Sequence, residues 1–128
     1  MARVARIQFE RRVASPPEVV WEVLADHRGM PGWTPVRRAE LEREGDPAPN
    51  GVGAIRVLHA VGPPLREEVT VFEPSRRLDY RMLSGAPVRN YRGKVVLTPV
   101  DAETEVIWSV SLTPRLPGVP LVVRSVIG

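Results

Sequence analysis

Cysteine is absent from the 128 residues, which excludes disulfides and thiolate metal centres. Histidine occurs only at His27 and His59, without metal-ligand spacing to any carboxylate pair, so neither a metal site nor a cofactor is expected. No apolar run is long enough to cross a bilayer, and the opening MARVARIQFERR lacks a signal-peptide core. A cytoplasmic location is the default expectation. P-loop, dinucleotide and nucleophile-elbow patterns are also missing, and Gly51-Val52-Gly53 precedes a strand, so it is a turn and not a phosphate cradle. Aromatics are scarce at 5%, with three Trp, two Tyr and two Phe. Where the strands gather them is therefore informative.

What is present is ordinary for one globular domain spanning 1–128: 43% apolar and 26% charged residues. The net charge of +3 comes almost entirely from arginine, Lys94 being the one lysine. Arginine excess raises nucleic acid as a partner, but the arginines are interleaved with Glu and Asp and form no like-charge block. That pattern describes solvated strand faces and argues against nucleic acid.

The most informative stretch is Val88 to Leu112, two long strands joined at Pro99-Val100-Asp101-Ala102. A four-residue loop there sets Leu97 opposite Thr104, Val95 opposite Val106, Gly93 opposite Trp108 and Tyr91 opposite Val110. All share one face, because side chains alternate along a strand. Gly93 opposite Trp108 suggests an indole lying over a residue without a side chain.

Upstream, Arg3 to Val13 alternates as a strand with Ala5, Ile7, Phe9 and Val13 on one face. Ser15-Pro16-Pro17-Glu18 has the form of a capping box, with Pro16 at the first helical position. Val19, Val20, Val23 and Leu24 then form the helix's apolar stripe, with Trp21 beside it. A short helical turn precedes Trp33-Thr34-Pro35. Strands follow over Val36 to Glu44, Gly53 to Ala60, Leu65 to Glu73 and Arg77 to Leu83, and their spacing argues for one antiparallel meander. Propagating the register puts Val71 opposite Leu78, Val69 opposite Tyr80, Glu67 opposite Met82 and Tyr80 opposite Tyr91. On the other face it pairs Glu68 with Arg81, and Asp79 with both Thr70 and Arg92.

In order and in motifs the chain resembles the SRPBCC, or START-like, helix-grip superfamily, in its polyketide cyclase/dehydrase-like branch. The residues carrying the resemblance are Ser15 to Trp21, Trp33-Thr34-Pro35, Gly51-Val52-Gly53, Arg66-Glu67-Glu68-Val69, Glu73-Pro74 with Leu78 and Tyr80, and Asn90-Tyr91-Arg92-Gly93. The resemblance implies an α+β fold: a curved antiparallel sheet packed on a C-terminal helix, with two short helices between the first two strands. It also implies an apolar cavity between sheet and helix that takes a small hydrophobic, lipid- or polyketide-like ligand.

The candidate ligand-binding residues are Trp33, Arg56, Glu67, Val69, Tyr80, Met82, Tyr91 and Trp108; no catalytic residue is assigned. Glu67 is a carboxylate on an otherwise apolar face and needs a partner or a proton. A four-residue turn Val61-Gly62-Pro63-Pro64 brings Arg56 diagonal to it, while a five-residue turn ending at Leu65 brings His59 opposite. The first reads as an ion pair, the second as a general-base dyad; the shorter turn matches the rest of the meander and favours Arg56. Two alternatives to ligand binding stay open: a cyclase or dehydratase using Glu67 with His59 or the tyrosines, and a protein-interaction module. The tail LVVRSVIG gives about two helical turns, ~12 Å, a short or truncated version of the gripped helix. The wide apolar face then calls for a homodimer, a ligand or a longer native tail to cover it.

Overall fold

The computed structural model describes residues 4–114. Its strands are β1 (Ala5–Val13), β2 (Arg38–Arg43), β3 (Ile55–His59), β4 (Leu65–Glu73), β5 (Arg77–Ser84), β6 (Val88–Val100) and β7 (Glu103–Pro114). They form one antiparallel sheet in the order β1-β7-β6-β5-β4-β3-β2, so only β1 leaves the meander, to pair with the last strand. Between β1 and β2 lie the helix α1 (Pro17–Ala25) and a 3₁₀ helix (His27–Gly32). The α+β class, the meander and the two short helices match the expectation. The gripped C-terminal helix lies outside the described residues.

α1 begins one residue later than the capping box implies. Pro16 precedes another proline, which disfavours helical backbone, and it sits extended at φ −70, ψ 160 as the N-cap. Ser15 makes no side-chain cap; its carbonyl instead accepts the Thr104 hydroxyl at 2.7 Å, tying the helix entry to β7. The helix also turns a different face inward. Pro17, Trp21 and Leu24 are buried, whereas Val19 and Val23 are 48% and 52% exposed. Trp21 and Leu24 pack with Val69, Leu78, Val95 and Leu97 of the sheet, and Trp21 meets the Phe72 ring edge-on at 5.1 Å between centroids.

The β5–β6 and β6–β7 registers each differ from expectation by two residues, so faces survive there while partners change. β6 and β7 turn through two residues, with Val100 opposite Glu103 and Asp101 at φ 54, the left-handed backbone that tight hairpins require. Consequently Leu97 faces Val106, Val95 faces Trp108 and Gly93 faces Val110. Tyr80 lies opposite Gly93, not Tyr91, and the register between β6 and β7 shifts between Arg89 and Arg92. In β4 and β5, Glu67–Met82, Glu68–Arg81 and Val69–Tyr80 stand as expected. A register shift between Val69 and Val71 then sets Phe72 opposite Leu78 and Val71 opposite Asp79. Asp79 therefore faces Val71 and Lys94, and its carboxylate takes a two-point contact from Arg77 at 2.9 and 2.7 Å.

Gly93 is required by a close approach, although not that of Trp108. The Tyr80 phenol crosses it, and a Cβ at this position would coincide with that ring. Gly93→Ala should lower stability by roughly 1–3 kcal/mol through overpacking. Gly32→Ala, with nothing nearby, should leave it unchanged. Thermal unfolding of the two variants checks this; equal midpoints would contradict the placement of Tyr80.

Candidate functional site

Two neighbouring environments form on the inner face of the sheet, one sealed and polar, the other open and apolar. The sealed one begins with Arg56 and Glu67, directly opposed on β3 and β4 and both buried. The observed register has the parity of the four-residue turn, so Arg56 faces inward; it is directly across rather than diagonal. Its Nε donates to Glu67 Oε1 at 3.1 Å, and its guanidinium lies 4.8 Å from the centre of the Tyr80 ring. Burial pushes the Glu67 carboxyl above its ordinary range, with Arg56 pulling the other way. His59 is elsewhere: it pairs across β2 with Arg38, near Glu40. The proposed His59–Glu67 dyad is not formed, because the observed turn gives the two residues opposite facing.

Tyr80 carries the network towards the open side. Its hydroxyl accepts the Trp108 indole N–H at 2.9 Å, and the Tyr91 side chain interacts with the same group. Burial raises the pKa of both phenols far above the ordinary value, so both are neutral hydrogen-bonding groups at neutral pH. Behind Arg56, the buried His27 offers Nδ1 to the Asn50 side-chain oxygen at 2.8 Å. Its Nε2 has no partner among the described residues, and burial lowers its pKa. His27, Arg56 and Val69 border a void of about 10 Å³, room for one water. Met82 and Tyr91 border a separate polar recess of about 300 Å³ near the β5–β6 turn.

The open environment is a cleft of about 640 Å³, inside the range for small-molecule sites. Leu97, Val106 and Trp108 line it from the sheet, Phe9 and Val13 from β1, and the exposed Val19 and Val23 from α1. Trp33 closes one end, its ring 5.9 Å from that of Trp108 and tilted by 49°. The chain there is pinned locally: the N–H of Trp33 and the hydroxyl of Thr34 both donate to the Met30 carbonyl, at 3.1 and 2.8 Å.

Of the expected site residues, only Trp33 and Trp108 line this cleft. Tyr80, Tyr91, Arg56 and Glu67 form the sealed network behind it, Val69 lies in the core, and Met82 packs beside the tyrosines. Sequence reading missed Val19 and Val23 as cleft residues because they sit on an apolar helical stripe, the usual mark of core. Arg11 was passed over in an otherwise apolar face of β1.

With its sealed charges, the site divides structural from surface roles, and this can be measured. Glu67→Gln leaves the Arg56 guanidinium buried without its counter-charge and should cost about 3 kcal/mol or more. Glu68 lies on the outer face between Arg43 and Arg81, at 2.8 and 2.7 Å, and Glu68→Gln should cost about 1 kcal/mol or less. Denaturant unfolding of both variants decides; equal losses would contradict the sealed pair.

The geometry agrees with what the chain is similar to. The family model described as polyketide cyclase / dehydrase and lipid transport matches residues 4–127. Among solved structures, the Zhui aromatase/cyclase from a Streptomyces species is 24% identical with a TM-score of 0.77, over 91% of this chain and 72% of that one. A START superfamily protein from Mycobacterium smegmatis is 13% identical with a TM-score of 0.78, over 93% and 84%. A Thermobifida fusca protein solved by NMR is 27% identical with a TM-score of 0.73, over 96% and 82%. No curated protein matches the sequence.

Proposed function

The chain belongs to the polyketide cyclase/dehydrase and lipid transport family, and from that premise we propose that it binds a small hydrophobic molecule in the cleft between α1, the sheet and Trp33. The reading treats residues 1–128 as one ligand-binding domain. One observation carries it: α1 holds Val19 and Val23 about half exposed, aimed into a cleft of about 640 Å³ instead of into the core. A helix whose only task was to cover the sheet would bury both. Trp33, 40% exposed, adds a large apolar surface at the end of the same cleft.

Binding is favoured over cyclase- or dehydratase-type chemistry by where the titratable groups lie. Such a reaction needs an acid or base within hydrogen-bond reach of the bound molecule. Glu67 is engaged by Arg56 in the interior, His59 lies beside Glu40, and the two buried tyrosines resist ionisation. No carboxylate or imidazole lines the cleft among the described residues.

Val23→Asp tests the reading at a position too exposed to matter for folding. Wild-type protein should enhance the fluorescence of the neutral probe N-phenylnaphthylamine, and the variant should lose at least tenfold in affinity with an unchanged melting temperature, a tenfold loss being about 1.4 kcal/mol. Absence of probe binding by the wild type would overturn the proposal.

A further inference from the structure

Arg11 is the one charged side chain among the described residues that line the cleft. It is there by strand alternation: Phe9, Arg11 and Val13 share the inner face of β1, and Arg11 stands opposite Val106, itself a cleft residue. Its sequence neighbour behaves differently. Arg12 faces outward and meets Glu103 and Glu105 at 3.5 and 3.8 Å. Other arginines of the sheet are matched in the same way, Arg66 to Glu42, Arg77 to Asp79, and Arg43 and Arg81 to Glu68. Arg11 has neither an ion pair nor a hydrogen bond among the described residues. So a fold that pairs many of its arginines leaves uncompensated the one that borders an apolar cleft.

We propose that the cleft takes an amphipathic carboxylate, its apolar body against Trp108 and Val23 and its anionic end paired with Arg11. The inference rests on the reading of the cleft as a binding site. The chemistry follows from three properties of the place. A guanidinium presents two parallel N–H groups that match a carboxylate. Apolar walls beside it lower the local dielectric and strengthen the pairing relative to open water. The rest of the lining offers large apolar area and no acidic group among the described residues, so an anion meets no opposing charge there. A cationic amphiphile would gain the same apolar contacts and face repulsion.

The test is displacement of N-phenylnaphthylamine by decanoate, decanol and decyltrimethylammonium, each below its micelle concentration. Decanoate should compete roughly three- to fivefold better than decanol at low salt, the size of a partly exposed ion pair, and the cation worst. Raising the salt should narrow the difference. Arg11→Gln should bring decanoate down to decanol with decanol unchanged, Arg11→Lys should keep most of the preference, and Arg11→Glu should favour the cation. If the wild type binds the probe but does not separate decanoate from decanol, or Arg11→Gln keeps the preference, the carboxylate assignment is overturned while the cleft reading stands. If the probe does not bind at all, both fall.

Discussion

The Tyr80 ring occupies a position that several other features depend on. It lies across Gly93 on one side and under the Arg56 guanidinium on another, and its hydroxyl holds the Trp108 indole. Each contact answers a physical need. Arg56 and Glu67 cancel charge in a place where either alone would be costly. The aromatic ring beneath Arg56 gives it a second favourable neighbour. The phenol and the indole satisfy one another's polar atoms, so neither is orphaned by burial. Without the missing side chain at Gly93 the ring could not reach this position.

Because Trp108 is fixed from behind by Tyr80, its ring presents a firm wall to the cleft in front. The protein thus keeps its buried ion pair and phenols on the sealed side and offers a mainly apolar lining on the open side. α1 serves both: Trp21 and Leu24 seal it to the sheet, while Val19 and Val23 on another flank stay available to the cleft. Arg11, placed by alternation on the cleft side of β1, is the charged exception in that lining among the described residues.

Much of the fold was legible because alternation and turn length leave even errors harmless. A two-residue slip in the β6–β7 turn changed the partners of Gly93 and Val95 but moved no side chain to the other face. The Gly93 gap was readable as a close approach; the ring that fills it was not, since a second two-residue slip, between β5 and β6, brings Tyr80 opposite Gly93. For Glu67, the pairing with Arg56 followed from the parity of a single turn. What the sequence could not convey was depth. Residues on one face of a sheet share a direction, and direction does not separate a sealed interior from a cleft wall. That distinction is set by where α1 and the Trp33 segment lie over the sheet, so Val69 and Glu67 were grouped with Trp108 as equals. Val19 and Val23 were misjudged for a related reason: an apolar stripe at helical spacing marks core and binding wall alike.

Methyl-resolved NMR during titration with N-phenylnaphthylamine tests the central claim most directly, because the probe's ring currents report which side chains it touches. Ligand in the cleft should shift the methyls of Val19, Val23, Leu97 and Val106 and leave those of Val69, Leu58 and Ile55 in place. Shifts centred on Met82 and Leu83 at the β5–β6 turn, or none at saturating probe, would contradict the account.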